Sequence, residues 1–197
     1  MSKVLLPIGD AAEAMDTLYP YYRVQEEGYE AVVAGPVARL YPLVMHEIPP
    51  GWDITREQPS YHLKADIAFA DINPEEFDGL FLTGGRAPEY LRYDKDLLRI
   101  VRHFFAADKP VCVVCHGVEI VAAANVISGR QMATVAKCQI DVEFSGGTYI
   151  NDGCVISGNM VSGRTWHDQH RYMPVFMKML RERKAGLATE QEVATVR

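Results

Sequence analysis

The sequence predicts an α/β fold, a single-domain three-layer sandwich of the flavodoxin-like type with a mostly parallel central sheet. Short runs of apolar, β-branched residues alternate with helical patterns, and such runs are typical of parallel strands covered on both faces. The chain has 197 residues, 48% of them apolar, which is enough for one sizeable core and short for two. We therefore expect one domain over residues 1–184 and a weakly patterned tail over residues 185–197.

The first part of the chain predicts two strands around a helix. Residues 3–8 form an apolar run that ends in a Gly-Asp turn, as expected of a strand. Residues 11–27 place apolar side chains at helical spacing, with Pro20 expected to kink or split the helix and Gly28 expected to end it. Residues 30–34 are the second strand.

The segment over residues 38–61 is interpreted as a lid or an oligomer contact. Residues 37–48 are compatible with a hairpin, the Pro-Pro-Gly sequence at 49–51 breaks regular structure, and residues 52–61 are expected to form a loop. Beyond this segment, residues 67–72 alternate as in a short strand.

The second half of the chain predicts the rest of the sheet and its helices. Residues 79–83 form a buried strand, and residues 94–107 form an amphipathic helix. The other expected elements are a helical turn at 73–76, a strand at 110–114 with a following helix that ends near Gly129, a strand at 131–136, a helix at 139–144, and strands at 154–157 and 160–162.

The final helix is expected to begin at Asp168. Pro174 lies too deep for a first-turn proline, so regular helix is expected only from near Met173. The weakly patterned tail follows it.

The most informative stretch is PVCVVCHGVEI at residues 110–120. An apolar strand stops at Cys-His-Gly and continues as a helix, which is the pattern of a nucleophile elbow. Cys115 would then lie at the N-terminus of the helix, where free N–H groups and the positive helix end stabilise a thiolate. His116 is a candidate base or charge partner. A buried structural cysteine at a strand end is the alternative interpretation.

Cys112 and Cys115 also form a C-x-x-C pattern, which we do not interpret as a redox or zinc pair. The odd separation within a strand places the two side chains on opposite faces of the sheet. The four cysteines, without a secretory signal, are expected to be reduced thiols. No second Cys or His pair has zinc-finger spacing, so we expect no metal site.

Charge and hydropathy exclude several classes of function. A formal net charge of −6 with no basic stripe argues against nucleic-acid binding. No segment approaches the roughly 20 apolar residues needed to span a bilayer, and residues 1–7 are expected to begin a core strand rather than a signal peptide. We therefore expect a cytoplasmic protein without a membrane partner.

Two blocks of sequence resemble the signature blocks of the PfpI/ThiJ superfamily. They are FDGLFLTGGRAPEY at residues 77–90 and KPVCVVCHG at residues 109–117. That superfamily has the class I glutamine amidotransferase-like fold and includes PfpI-type intracellular peptidases and the Parkinsonism-associated deglycase proteins. The similarity extends from the first strand to the final helix.

The resemblance implies roles for particular residues. Cys115 matches the nucleophile and His116 the histidine that follows it. The backbone N–H groups of Gly85 and His116 would form the oxyanion hole, where loss of one donor typically costs ~10²–10³ in rate. Glu89 matches an acid that reaches the neighbouring subunit's histidine in PfpI-type members. The resemblance therefore implies a homo-oligomer, a dimer or a hexamer, with Glu89 near a neighbouring subunit's site.

The chain departs from the superfamily pattern at two places. Asp16 matches a nucleophile-flanking carboxylate that is usually a glutamate, which is longer by one methylene. Because an ionised acid would repel a thiolate, we predict that Asp16 has a raised pKa, is protonated when Cys115 is ionised, and titrates together with it. Trp166 and His167 replace a Ser-Arg-Gly-Pro or Ser-Arg-His-Pro turn and are candidate pocket residues, while a capping or surface role for His167 stays open.

These observations favour a cysteine-dependent enzyme that acts on small reactive carbonyl compounds, as a glyoxalase III or a deglycase does. The Cys115 thiolate would add to the substrate aldehyde, so we expect a small-molecule substrate and no cofactor. The first alternative is a PfpI-type intracellular peptidase or amidase, or an isonitrile hydratase. The second alternative is a non-enzymatic redox sensor or stress chaperone in which Cys115 oxidises to sulfinic acid.

Overall fold

The computed structural model describes residues 2–195, with side chains through residue 187. Its strands are β1 Lys3–Pro7, β2 Ala12–Glu13, β3 Glu30–Gly35, β4 Leu40–Glu47, β5 Arg56–Lys64, β6 Ile67–Ala68, β7 Gly79–Leu82, β8 Val111–Val114, β9 Gln131–Met132, β10 Thr148–Tyr149, β11 Val155–Ser157 and β12 Met160–Gly163. Its α-helices are α1 Ala14–Glu26, α2 Ala87–Leu91, α3 Lys95–Ala106, α4 Val118–Ala123, α5 Gln139–Phe144 and α6 Gln169–Thr195.

The central sheet has, within residues 2–195, seven strands in the order β11-β12-β8-β7-β1-β3-β6. Neighbouring strands are parallel except β11 and β12, which pair antiparallel at one edge. β8 lies between β7 and β12, with Val111 opposite Leu80 and Val114 opposite Gly163. This topology confirms the predicted α/β class with a mostly parallel sheet.

Apolar clusters cover both faces of the sheet. Leu5 and Leu80 lie in one cluster, and their chain neighbours Leu6 and Phe81 lie in the other. Phe176 of α6 covers the second cluster, with its ring centroid 6.0 Å from that of Phe81. Consecutive strand residues are thus buried on opposite faces, which is why the strands are unbroken apolar runs in the sequence.

The predicted separation of Cys112 and Cys115 on opposite faces is wrong. Both side chains lie in the cluster under α6. Strand alternation ends at Val114, and Cys115 has a φ of 55°, which turns its side chain to the face of Cys112. Both residues are free thiols.

The first helix begins later than predicted. Ala11 has a φ of 62°, and Ala12–Glu13 pair with β4, so α1 begins only after them. The side chain of Glu13 accepts a hydrogen bond from the backbone N–H of Asp16 at 2.6 Å and so caps the helix. Pro20 is buried inside α1 and does not split the helix.

Residues 40–64 form an antiparallel hairpin of β4 and β5, with Leu40 opposite Lys64, so the hairpin extends three residues beyond the predicted segment 38–61. The predicted hairpin within 37–48 and the predicted loop over 52–61 are therefore wrong, because each of these segments supplies one strand. The Pro-Pro-Gly breaker lies in the connection between them. β5 is mostly exposed, so it lacks the apolar alternation by which a strand is recognised in a sequence.

The last helix begins within one residue of the predicted start at Asp168, but its regular part begins well before Met173 and it extends further than predicted. α6 begins at Gln169, directly after a 3-10 turn, and passes through Pro174. Pro174 is exposed, so its ring and its missing N–H lie on the solvent side of the helix. The helix continues to Thr195 over most of the predicted tail, and residues 196–197 lie outside the described residues.

Two smaller expectations concern a strand and the membrane. Only Gln131–Met132 of the strand predicted at 131–136 is extended, and it pairs with β10.

The described part of the chain contains no helix with the length and apolarity needed to cross a bilayer.

Replacing Pro174 with alanine is expected to stabilise the protein. Proline in a helix interior costs ~3 kcal/mol relative to alanine, and the greater freedom of the unfolded alanine chain offsets about 0.4–1 kcal/mol of the gain. We expect Pro174→Ala to raise the free energy of unfolding by about 2 kcal/mol or slightly more in urea titrations.

The control is Lys178→Ala, an exposed change on the same helix, which should alter the free energy of unfolding by less than about 0.5 kcal/mol. A Pro174→Ala protein less stable than the native one would contradict the prediction.

Candidate active site

The predicted nucleophile elbow is present at the carboxyl end of β8. Cys115 follows the strand with a φ of 55° and begins a 3-10 turn that leads directly into α4. A non-glycine residue in this left-handed region costs about 1–2 kcal/mol, and such strain is concentrated at functional sites. Gly117 permits the turn, because a Cβ there would lie 2.8 Å from the carbonyl oxygen of Leu82.

Gly84 and Gly85 bring a second loop against the sulfur. A Cβ on Gly84 would lie 2.9 Å from Cys115 Sγ, so only glycine permits this approach. The backbone N–H groups of Gly85 and His116 donate hydrogen bonds to the sulfur and lower the pKa of the thiol. The two amides predicted for the oxyanion hole therefore converge at the reactive atom. Their catalytic role stays a prediction.

Asp16 is completely buried and lies next to the thiol. Its Oδ2 and Cys115 Sγ face the same point of Gly84, where a Cβ would lie 2.6 Å from Oδ2. Burial, followed by the nearby Glu13 carboxylate, raises the pKa of Asp16 well above its usual value, whereas the Cys115 thiol lowers it. The direction of this shift agrees with the raised pKa that the sequence predicts. Among the described residues, neither carboxylate oxygen of Asp16 has a hydrogen-bond partner, so the shorter side chain lies beside the thiol without a hydrogen bond to it.

Glu13 is a second buried carboxyl group, which the sequence analysis missed. It is 1% exposed, and burial raises its pKa to about 7, although hydrogen bonds from backbone N–H groups act in the opposite direction. Glu13 and Asp16 are three residues apart at the start of α1 and therefore share a face. The sequence signal for Glu13 is that it is an acidic residue three positions before Asp16, a candidate site residue.

The predicted low pKa of Cys115 is wrong. Burial, followed by the Asp16 carboxylate, raises the pKa of the thiol well above its usual value. The sulfur-bearing residue is 6% exposed and the helix after it has only six residues, so loss of water outweighs the amide hydrogen bonds. The resting site therefore holds a neutral thiol near pH 7.

His116 supplies a neutral proton acceptor beside that thiol. Its Nδ1 lies 3.3 Å from Cys115 Sγ. Burial, followed by the positive charge of Lys137, lowers the pKa of His116 to about 4. The ring is therefore uncharged near pH 7, and one of its nitrogens is free to accept a proton.

A cavity of about 550 Å³ opens at Cys115. Trp166 and His167 line it, as the sequence predicts, with their ring centroids 4.9 Å apart. The backbone N–H of His167 also donates to Thr165 Oγ1, so His167 belongs both to the pocket wall and to a capping turn. The hairpin contributes His46 to the wall, while its role as a lid or an oligomer contact stays a prediction.

Glu89 is not among the residues that line the cavity of its own chain. Its exposed side chain pairs with Arg86 at 3.3 Å, and Arg86 also lies 3.9 Å from Glu57 on β5. These described contacts keep Glu89 on the protein surface. Its approach to a neighbouring subunit's histidine stays a prediction.

The fold and the site define a class of α/β protein in which a buried cysteine lies at a strand–helix elbow beside carboxyl groups. The chain belongs to the DJ-1/PfpI family, whose sequence model matches residues 2–179. It is 35% identical over 183 residues to deglycase TK1284 of Thermococcus kodakarensis, covering 91% of this chain and 99% of the relative. It is 34% identical over 179 residues to deglycase PfpI of Pyrococcus furiosus, again covering 91% of this chain and 99% of the relative.

Solved structures have the same fold. The ThiJ/PfpI domain protein from Brachyspira murdochii matches with a TM-score of 0.78 at 15% identity, over 92% of this chain and 96% of that one. Drosophila melanogaster DJ-1beta matches with a TM-score of 0.75 at 17% identity, over 95% of this chain and 98% of that one. At these identities the likeness supports the fold alone.

The buried Glu13 is expected to make stability depend on pH. Its pKa is about 7 in the folded chain, against an ordinary value of 4.5, so the folded state holds a proton that the unfolded state releases. This stabilisation is complete below pH 4.5 and is lost as the pH rises through 7. Glu13→Gln keeps a capping oxygen and cannot ionise, so it should gain stability relative to the native chain across that window, by at most about 3 kcal/mol.

Urea unfolding at pH 5 and pH 8 measures this gain. The exposed Glu30→Gln is the control and should differ from the native chain by the same amount at both pH values. An effect of Glu13→Gln that does not change between the two pH values would contradict the assignment of the proton to Glu13.

Proposed function

We propose that the protein is a cysteine-dependent enzyme acting on small reactive carbonyl compounds, in the manner of a deglycase or a glyoxalase III. The observation that carries the proposal is that the buried Asp16 and two backbone N–H donors converge on Cys115, which itself lines a cavity of about 550 Å³. Four relatives that are 34–35% identical to this chain over nearly their whole length are named deglycases, which supports the same chemistry.

The first step joins the sulfur of Cys115 to the aldehyde carbon. Neutral His116 takes the thiol proton through Nδ1, 3.3 Å from Sγ, while the C=O π bond breaks and its oxygen gains negative charge. The N–H groups of Gly85 and His116 stabilise that oxygen. Transfer of the proton from His116 to the oxygen then gives a neutral hemithioacetal.

The second step moves a proton along the bound substrate. For a 2-oxoaldehyde such as methylglyoxal, a base removes the hydrogen from the hemithioacetal carbon and the adjacent carbonyl oxygen takes up a proton, which gives an enediol. Protonation of the adjacent carbon, with loss of the hydroxyl proton on the sulfur-bearing carbon, then gives a thioester. Asp16 and His116 are the groups beside the sulfur that hold this proton in transit. Water then cleaves the thioester, which releases a 2-hydroxy acid and restores the Cys115 thiol.

The size of the cavity favours a small substrate. Its volume of about 550 Å³ lies within the range of about 300–1,000 Å³ that is common for small-molecule sites. Trp166 and the hairpin residue His46 limit the space beside the nucleophile. A small carbonyl compound fits this space better than an extended peptide does, which ranks the peptidase alternative second.

We expect the purified protein to convert methylglyoxal and to leave a fluorogenic peptide and an alkyl isonitrile unchanged. Cys115→Ala should abolish the conversion, and Asp16→Asn should lower kcat by about 10²–10⁴ through loss of a proton-transfer group. Cys154→Ala is the matched control, because it removes a thiol that does not line the cavity, and it should keep the native rate.

Each other result supports a different function. Turnover of the peptide or the isonitrile without turnover of methylglyoxal would replace the proposal with the peptidase or the hydratase. Selective oxidation of Cys115 to sulfinic acid by mild peroxide, without turnover of any substrate, would favour the redox sensor.

We further propose that a homo-oligomer completes the site. Glu89 lies on the surface, where it pairs with Arg86, and it does not line the cavity of its own chain. The neighbouring hairpin exposes apolar side chains that a second copy would cover, namely those of Leu40, Met45, Ile48 and Tyr61. These features support a contact that places Glu89 near the His116 of another subunit.

Complementation of two defective subunits tests a shared site. We expect Cys115→Ala to be inactive and Glu89→Ala to be slow, because each lacks one of the two proposed contributions. A co-expressed 1:1 mixture should regain about a quarter of the native sites if the protein is a two-fold dimer, since each mixed dimer has one site with both native residues. Activity equal to the mean of the two separate variants, or a monomer in sedimentation, would contradict the proposal.

A further inference from the structure

Three side chains of the kinds that bind metals meet beside the elbow. One ligand atom from each of His116, Glu119 and Cys138 lies within 4.8 Å of the others. His116 and Glu119 are three residues apart, on the turn and the helix that follow Cys115, and therefore share a face. Cys138 closes a separate 3-10 turn directly before α5. Two distant parts of the chain thus contribute to one cluster.

The cluster is buried and weakly neutralised. Glu119 and Cys138 are buried, and a carboxylate in such a place is normally paired. The ion pair of Glu119 with Arg92 has a length of 3.4 Å, and Arg92 is shared with Asp141 at 3.3 Å. Charge-assisted hydrogen bonds are usually about 2.7–2.9 Å long. Arg92 therefore orients Glu119 without saturating it.

We propose that His116, Glu119 and Cys138 form a binding site for Zn²⁺. Imidazole, carboxylate and thiolate are the ligands of zinc, and three protein ligands with one open position form a common four-coordinate site. Tetrahedral zinc needs ligand atoms about 3.3–3.7 Å apart, so small side-chain rotations close a cluster that now lies within 4.8 Å. Binding releases the thiol proton of Cys138 to solvent, and the two anionic ligands then balance the charge of the ion.

The ion would inhibit the nucleophile, an effect that rests on the proposed function. Nδ1 of His116 lies 3.3 Å from Cys115 Sγ, which leaves Nε2 for the metal. A neutral imidazole that ligates through Nε2 carries its proton on Nδ1. It then donates a hydrogen bond toward the sulfur and no longer accepts the thiol proton. Zn²⁺ thus blocks the first step without binding to Cys115.

Cobalt spectroscopy tests the ligands without measuring activity. One equivalent of Co²⁺ added to the reduced, full-length protein should give a tetrahedral complex with a thiolate-to-cobalt charge-transfer band. Cys138→Ser should lose this band and weaken Zn²⁺ binding, measured against a chromophoric chelator, by more than about 100-fold. Cys115→Ala should keep both the band and the affinity. Glu119→Gln should keep the band and bind Zn²⁺ less tightly.

A matched control and a second reading support the assignment. Cys154→Ser removes a thiol outside the cluster and should bind Co²⁺ as the native protein does. Zn²⁺ should raise the thermal unfolding midpoint of the native protein and of Cys115→Ala, but not that of Cys138→Ser. Cys138→Ala replaces Cys138→Ser in both readings if the serine variant does not fold.

Several results would overturn the proposal. A band that persists in Cys138→Ser and disappears in Cys115→Ala would place the ion on the nucleophile, and the native protein giving no band would show that the site does not form. Equal inhibition of native and Cys138→Ser turnover by Zn²⁺ would refute the effect on His116. The spectra need no substrate, so they test the metal site even if the proposed enzymatic function is wrong.

Discussion

Close approach of the backbone to a single sulfur atom is the constraint on which the site depends. Cys115 leaves β8 in a left-handed conformation, and Gly84 and Gly117 have no side chains where a loop and a strand come against it. A larger residue at either glycine would push the loop or the elbow away, and the two backbone N–H groups would no longer lie within hydrogen-bond distance of the sulfur. Steric space, rather than attraction between groups, therefore determines the geometry of the proposed chemistry.

This packing removes water from three ionisable groups. The pKa values of Cys115, Asp16 and Glu13 are all raised because burial disfavours their charged forms. A resting site of neutral groups is less costly to bury than a thiolate among carboxylates. In the proposed mechanism, loss of the thiol proton therefore accompanies attack on the substrate, when negative charge moves to an oxygen near the amides. Such a site stabilises charge that develops during the reaction rather than charge that is stored beforehand.

The elements that sequence patterns predict well are those whose burial is uniform along the element. β1, β7 and β8 are almost entirely buried, so an unbroken apolar run identifies them. β5 escapes prediction because most of its side chains are exposed and its register comes from pairing with β4, a contact that no local pattern records. The regular part of α6 is predicted to start too late, near Met173, because Pro174 suggests a break, whereas exposure of that position allows the helix to continue.

The site shows the same division between local pattern and environment. The elbow with Cys115 and His116 follows from local spacing. Asp16 comes beside the sulfur because α1 and the elbow both pack against Gly84, and the resemblance alone predicts that meeting. No pattern supplies the protonation state. At an exposed helix start, Glu13 would be an ionised cap favoured by the helix dipole. In this fold it is buried beside Asp16, and burial raises its pKa to about 7. Local spacing thus identifies the elbow, packing between distant parts of the chain decides which carboxyl groups join it, and the exclusion of water by that packing decides which of the groups are charged.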